Sequence, residues 1–230
     1  MFNLYITNKN YSSWSLRPWV LMRELAIPFN ETLVPFGTAG ESNPFFAFSP
    51  TGKVPYLVHE HIGVWDSLAI TEYLAEQTPR IWPKNPEARA WARSASAEMH
   101  SGFQALRDQC SMNCGLRIRM ESYSENLLRD IHRLDALWNE GFSRFGGPYI
   151  AGDLFTAADA FFAPVAFRVQ TYGLPLSERS SEYIQTLLML PSMKEWYSAA
   201  LNELWRDPPH EQEALRAGTL LHDFRKTPHA

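Results

Sequence analysis

The chain has 230 residues, of which 45% are apolar and 20% charged, and its formal net charge is -4 at pH 7. This length suits one large or two small domains with a sizeable core. The acidic balance argues against a nucleic-acid surface, which is normally basic. The chain has no run of roughly 18 apolar residues, as a membrane helix needs, and its start lacks the features of a signal peptide. We therefore expect a globular cytoplasmic protein without a nucleic-acid or membrane partner.

The first third of the chain alternates between strand and helix patterns. "FNLYIT" predicts a strand, and apolar residues at helical spacing from Pro18 to Leu25 predict a helix that ends before Pro28. Further on, the patterns predict a second strand ("FNETLVPF"), a short helix near 43–48, a hairpin ("VPYLVH" and "IGVW") and a long helix from Asp66 or Ser67. This order requires a mixed sheet with helices on both faces.

The segment "QTPRIWPKNPE" contains three prolines in eleven residues and is typical of a linker. No strand pattern is recognised beyond it. Helical patterns cover about 87–113, 122–144, 156–171, 179–189 and 191–204. We therefore predict an α/β domain over 1–78, a linker over 79–86 and an all-helical domain over 87–230.

Two cysteines, Cys110 and Cys114, lie four residues apart in a region that is predicted to be helical. Their spacing fits neither a zinc site nor a redox Cys-x-x-Cys pair, and two thiols do not make a disulfide framework. We expect both to be packed helix residues in a reducing compartment, and we expect no metal site.

The stretch "NYSSWSLRP" at 10–18 places three serines and a tyrosine at the start of the first helix. Serine commonly caps helices, and proline favours the first turn, so local structure alone explains this composition. Alternatively, the free N–H groups and the dipole at this end of the helix bind an anion.

Two further stretches allow both a structural and a ligand-binding interpretation. In "GKVPYLV", Pro55 interrupts a strand pattern, which fits an edge strand or a cis peptide that exposes the main chain of Val54 to an extended ligand. In "VWDSLAITEYL", Asp66 and Ser67 open a helix directly after a strand, which fits simple capping or a site for a carboxylate.

Together these stretches resemble the glutathione transferase family over nearly the whole chain. "SSWSLR" is similar to the serine motif of the zeta class, "SPTGKVPYL" to the segment with the family's cis-proline, and "DS" to its glutathione-binding pair. "TAADAFFAPV" is similar to the capping-box motif of the family's buried helix, in which Thr156 and Asp159 serve folding. The resemblance implies a thioredoxin-like first domain (βαβαββα), a helical second domain and a homodimer.

The resemblance also implies a catalytic serine and a glutathione site. Ser12 would donate its hydroxyl to the glutathione sulfur and lower the thiol pKa, with Ser13 as the next candidate. Arg17 would add positive potential, although we expect it to have a carboxylate partner. The residues implied for glutathione are Val54 and Pro55 at the cysteinyl backbone, Asp66 and Ser67 at the γ-glutamyl end, and Lys53 at the glycine carboxylate.

The motif departs from the zeta pattern at Trp14, where that class typically has cysteine. Tryptophan would narrow the pocket and present an aromatic wall to an apolar electrophile. Tyr11 is a rival donor to the thiol. We expect the second-substrate pocket to be lined by Tyr11, Trp14, Met99, His100, Phe103 and Arg107.

These features predict a glutathione transferase that uses glutathione as co-substrate and acts on a small, apolar electrophile. The zeta class is associated with isomerisation of maleylacetoacetate, which remains an alternative activity. A non-catalytic interaction module is a second alternative, although such a module need not keep all three ligand-binding stretches. A thiol-disulfide or dehydroascorbate-type enzyme would need a cysteine at the first helix, and residues 11–15 contain none.

Overall fold

The computed structural model describes residues 1–37 and 42–227. Its N-terminal part forms a four-stranded mixed sheet in the order β2-β1-β3-β4, in which β1 is parallel to β2 and antiparallel to β3. The elements are β1 (Phe2–Ile6), α1 (Ser13–Glu24), β2 (Phe29–Leu33), a 3₁₀ helix (Pro44–Ala47), β3 (Tyr56–His59), β4 (Ile62–Trp65) and α2 (Ser67–Gln77). The predicted order of elements is confirmed.

The C-terminal part is mainly helical, as expected. Its elements are α3 (Pro86–Ser101), α4 (Gln104–Gln109), β5 (Leu116–Met120), α5 (Glu125–Phe145), α6 (Ala157–Tyr172), α7 (Glu178–Met189), α8 (Pro191–Asn202), α9 (Pro208–Leu215) and β6 (Gly218–Asp223). Among the helices of the described residues, none combines the length and apolar character needed to cross a membrane. The fold class, a thioredoxin-like sheet followed by a helical domain, is confirmed.

Two details of this part differ from the sequence expectation. The helix predicted over 87–113 is two helices, because the chain turns at Gly102 and Phe103, whose φ of 57° is left-handed. In addition, β5 and β6 form an antiparallel two-stranded sheet where no strand was predicted. The second domain is therefore helical with a small sheet at its C-terminal end.

The cysteine prediction also needs correction. Cys110 directly follows α4 and Cys114 directly precedes Gly115 and β5, so neither lies inside a helix. Both thiols are free and buried, and burial raises the pKa of Cys110 to about 12. The thiolate form is therefore unfavourable at both positions, since burial also raises the pKa of Cys114.

Helix α6 is at the centre of the molecule and packs against α1, α3 and α7. Nearly all of its side chains are buried, as the apolar run "AADAFFAPVAF" predicts. Helix α1 buries Leu16, Trp19 and Val20 completely, and the Trp19 ring packs against Trp196 of α8. This packing holds the N-terminal end of α1 in a fixed position above the C-terminal helices.

The start of α6 is held by the predicted capping box of Thr156 and Asp159. The fully buried Asp159 carboxylate also accepts hydrogen bonds from the backbone N–H of Ile150 at 3.2 Å and from the Tyr183 hydroxyl at 3.0 Å. One side chain therefore joins the loop before α6, the helix itself and α7.

Candidate active site

The N-terminal end of α1 carries the serine motif. Ser12 is the N-cap, and its Oγ accepts a hydrogen bond from the backbone N–H of Ser15 at 3.4 Å. The same Oγ lies 2.8 Å from Oγ of Ser15, which is fully buried. In this bond the Ser12 hydroxyl is the donor, and because hydroxyl hydrogens rotate, the same hydrogen can turn from Ser15 to a ligand. Capping and ligand binding are thus compatible at Ser12.

The Val54–Pro55 peptide bond is cis, and it precedes β3 directly. Pro55 is buried, Val54 is half-buried and Lys53 is exposed. β3 is an internal strand of the sheet, and Lys53, Val54 and Pro55 line a cavity at its N-terminal end.

Helix α2 begins at Ser67, with Asp66 as its N-cap. Asp66 adopts a φ of 73° and accepts a hydrogen bond from the backbone N–H of Leu68 at 2.8 Å. Its second carboxylate oxygen lies 3.5 Å from Nε2 of His100 on α3. Ser67 is buried, so the pair presents one exposed carboxylate and one protected hydroxyl at the end of a helix dipole.

The three motifs line a single cavity of about 1120 Å³, which we call the central cavity. The predicted site residues that line it are Tyr11, Ser12, Ser13, Trp14, Lys53, Val54, Pro55, Asp66, Ser67 and Arg107. The fold thereby brings residues that are more than fifty positions apart in the sequence to one cavity. This cavity is large enough for a tripeptide and a second small molecule.

The other predicted lining residues are elsewhere. Met99 and Phe103 are buried in the hydrophobic core, because the break after α3 turns the predicted stripe away from the cavity. His100 contacts two residues that line the cavity. Its Nε2 lies 3.5 Å from the Asp66 carboxylate, and its ring centroid lies 5.3 Å from that of Trp14. The prediction that all of these residues form one cavity wall is wrong for Met99, His100 and Phe103.

Arg17 also differs from expectation. It is fully buried, and no carboxylate of the described residues forms an ion pair with it. Instead Nη1 donates to Oγ of Ser67 at 3.4 Å, while Nε and Nη2 have no partner among the described residues. Burial, reinforced by the nearby positive charge of Arg107, lowers the pKa of Arg17 well below its usual value. Within residues 1–37 and 42–227 the expected carboxylate partner is not found, and Arg17 connects the serine motif to Ser67.

Arg168 on α6 is a cavity residue that the sequence analysis missed. It is buried, it donates to the Cys110 carbonyl, and its Nε has no partner among the described residues. Arg107 lies nearby, and burial together with the charge of Arg168 lowers the pKa of Arg107 to about 10. The Arg107 and Arg17 guanidinium groups lie 4.8 Å and 4.2 Å from the Trp14 ring centroid. This part of the cavity is therefore strongly cationic as well as aromatic.

The C-terminal strap, residues 203–227, forms the remaining side of the cavity. The Glu203 carboxylate anchors its start by accepting the backbone N–H groups of Lys9 at 2.6 Å and Asn10 at 3.2 Å. The Tyr11 hydroxyl donates to Glu211 on α9 at 2.7 Å, and Arg225 donates to the same carboxylate at 2.8 Å. The strap is thus fixed directly beside the serine motif.

The hydroxyl of Tyr11 is engaged by a charged group of the strap. Burial and the hydrogen bond to Glu211 raise the pKa of Tyr11, and its hydroxyl hydrogen is already used by a carboxylate. In the structure, the Tyr11 hydroxyl therefore donates to the strap.

We expect Tyr11→Phe to loosen the strap without changing the pKa of bound glutathione. Losing one partly buried hydrogen bond to a carboxylate should destabilise α9 by about 1–2 kcal/mol. Faster hydrogen exchange of the α9 amides would show this, with Tyr123→Phe, in the loop before α5, as the matched control. A raised thiol pKa in the Tyr11 variant would instead identify Tyr11 as the donor.

Comparison with known proteins agrees with this geometry. Residues 11–77 match the family model for the glutathione S-transferase N-terminal domain, and residues 89–199 match the model for its C-terminal domain. The chain is 25% identical to glutathione S-transferase-like protein OpS6 of Beauveria bassiana, covering 84% of this chain and 89% of that protein. It is 27% identical to maleylacetoacetate isomerase of Rattus norvegicus, covering 76% of this chain and 81% of that protein.

Among solved structures, the fold is similar to that of a glutathione transferase homolog from Burkholderia with bound glutathione. The TM-score is 0.65 at 22% identity, with 86% of this chain and 97% of that chain covered. Together the two family models span both halves of the molecule and every motif of the central cavity. The chain therefore belongs to the glutathione S-transferase family, with a zeta-like serine motif, and is a glutathione transferase.

Proposed function

We propose that this chain activates the thiol of glutathione through Ser12 and directs it at a small electrophile bound in the same cavity. One observation carries the proposal: the serine motif, Val54–Pro55 and Asp66–Ser67 line one cavity. A hydroxyl donor at the positive end of α1 stabilises a thiolate relative to a thiol, which lowers the thiol pKa.

In this proposal, residues of the central cavity bind each of the three parts of glutathione. The N–H and C=O of Val54 pair with the cysteinyl backbone, and Lys53 meets the glycine carboxylate. Ser67 binds the γ-glutamyl carboxylate, with Asp66 near the ammonium group. Because Oγ of Ser67 already accepts a hydrogen bond from Arg17 at 3.4 Å, its own hydrogen is free to donate to that carboxylate.

The cationic lining changes the expected electrophile. Arg107 and Arg168 face the cavity beside Trp14, so a substrate with an anionic group next to an apolar or unsaturated part fits better than a purely apolar one. This favours, as a second candidate function, glutathione-dependent cis–trans isomerisation of a maleylacetoacetate-type substrate, since such a substrate is an acid anion. The relative from Rattus norvegicus is called maleylacetoacetate isomerase.

We also propose a homodimer and a cytoplasmic location. The resemblance and the composition of the chain support both.

Binding of glutathione to a Ser67→Ala variant tests the site. We expect affinity to fall by about 1–3 kcal/mol, since a charged acceptor loses its donor in a protected position. Isothermal titration calorimetry measures this, and Ser94→Ala, exposed on α3, is the matched control. Unchanged affinity in the Ser67 variant would remove Ser67 from the site, and retention on glutathione resin without turnover of any electrophile would support an interaction module instead.

A further inference from the structure

His210 is the single histidine among the described residues that line the central cavity. It lies on α9 of the C-terminal strap, and its side chain is 31% exposed. Its ring stacks on Tyr11 with 5.2 Å between centroids and on Phe36 with 4.9 Å. These two aromatic rings fix the plane of the imidazole beside the serine motif.

A carboxylate fixes the remaining freedom of the ring. Oδ2 of Asp207 lies 2.5 Å from Nδ1 of His210 and also accepts the backbone N–H of His210 at 3.2 Å. Asp207 is itself the N-cap of α9, and its backbone N–H donates to the Tyr11 hydroxyl at 3.4 Å. With Nδ1 directed at Asp207, Nε2 is the polar atom that the side chain offers to the cavity.

An imidazole held on one nitrogen by a carboxylate is a favourable arrangement for proton transfer from the other nitrogen. The carboxylate fixes the orientation and the tautomer of the ring, so a proton that the ring passes to a substrate leaves from Nε2. The other polar groups of the cavity are less suited to this task. The Tyr11 hydroxyl is engaged by Glu211, and the guanidinium groups of Arg107 and Arg168 can stabilise an anion but do not release protons readily.

We propose that His210, positioned by Asp207, is the general acid that protonates the electrophile when the glutathione sulfur attacks. This inference rests on the proposed function, because it needs a thiolate in the same cavity. It assigns a substrate class: a carbon–carbon double bond conjugated to a carbonyl, for which attack by sulfur places negative charge on oxygen.

Addition to such a substrate involves one new bond to sulfur, the shift of one π pair and one proton transfer. The thiolate forms a bond to the electrophilic carbon, the π pair of the carbon–carbon double bond shifts toward the carbonyl, and the carbonyl oxygen takes up the negative charge. The proton on Nε2 of His210 then moves to that oxygen, which leaves a neutral imidazole and an enol adduct. A thiolate and an imidazolium are thereby consumed together, so the site changes neither its total charge nor its redox state.

Two electrophiles with different proton demands test this role. Crotonaldehyde needs a proton after attack, whereas 1-chloro-2,4-dinitrobenzene loses chloride and needs none. We expect His210→Ala to lower the glutathione-dependent kcat with crotonaldehyde about 100-fold, in the range typical of a lost general acid. The loss with the chloroarene should be at least about tenfold smaller, since that reaction uses only the thiolate.

Chemical rescue separates catalysis from a structural role in the strap. Removing the ring leaves a gap between Tyr11 and Phe36, so added imidazole should restore part of the crotonaldehyde rate in the His210→Ala enzyme. Asp207→Asn should lower the same rate by a smaller factor. His61→Ala, in the exposed turn between β3 and β4, should leave both rates unchanged.

Other results would contradict either the role of His210 or the proposed transferase function. Equal losses with both electrophiles, or no response to imidazole, would overturn the role of His210 while leaving the transferase proposal intact. The same holds if the wild-type enzyme turns over the chloroarene but not crotonaldehyde. Absence of glutathione-dependent turnover with both electrophiles would overturn the proposed function, and this inference with it.

Discussion

Ser12→Ala should raise the pKa of bound glutathione and lower the rate at neutral pH. A hydrogen bond to a charged group contributes about 1.5–3 kcal/mol, which corresponds to about 1–2 pKa units. The thiolate fraction, and with it the rate, should therefore fall roughly 10- to 100-fold near neutral pH. Glutathione affinity should fall less, because the hydroxyl acts on the reacting sulfur rather than on the rest of the tripeptide.

Thiolate absorbance against pH measures the first effect, and steady-state kinetics measure the second. Ser12 also caps α1, so the variant should lose about 0.5–2 kcal/mol of stability, and binding must be measured well below its unfolding temperature. Ser13→Ala is the matched control, one residue along the same helix start, and it should do less. An unmoved thiol pKa with wild-type rate in the Ser12 variant would transfer the activation to the helix dipole, backbone N–H groups or Ser13.

Asp159→Ala should cause the largest loss of stability. The carboxylate accepts hydrogen bonds from the Thr156 backbone N–H at 2.9 Å, the Thr156 hydroxyl at 3.2 Å, the Ile150 backbone N–H at 3.2 Å and the Tyr183 hydroxyl at 3.0 Å. Alanine leaves these buried donors without an acceptor, so we expect the free energy of unfolding to fall by about 3–5 kcal/mol. Urea unfolding measures it, with Asp153→Ala, exposed on the same loop, as the control.

The same residue predicts a pH dependence. Burial outweighs the donated hydrogen bonds and raises the pKa of Asp159 to about 6 in the folded protein. The unfolded chain ionises near pH 3.9, so the folded state holds this proton more tightly and gains stability from it in acid. That gain is fully present below about pH 3.9 and is lost as the pH rises through about 6, so the stability gap between wild type and variant should narrow from about pH 4 to about pH 7. A gap that widens over this range would contradict the raised pKa.

Local signals explain why so much of the site could be predicted. Ser12 and Asp66 are helix caps, Pro55 interrupts a strand, and each of these residues constrains the backbone within a few positions of itself. Their order along the chain, compared with a known family, was then enough to predict that they meet.

The features that the sequence did not predict depend on distant partners or on single backbone angles. The pairing of β5 with β6 joins segments about a hundred residues apart, and each strand is too short to be distinctive alone. Phe103 continues the helical spacing of Met99, but its left-handed φ ends the helix, and spacing carries no information on that angle. Arg168 lies in a helix that is otherwise apolar, so its position on the cavity follows only from packing.

The substitution of tryptophan at position 14 has a consequence for how this site can vary. Arg17 and Arg107 both lie against the Trp14 ring, so one indole contacts and stabilises two like charges. A smaller residue at position 14 would let these cations repel each other across a gap, unless position 107 changed as well. The stability effects of changes at 14 and 107 should therefore be non-additive. The third motif residue is thus energetically coupled to a side chain on α4, Arg107.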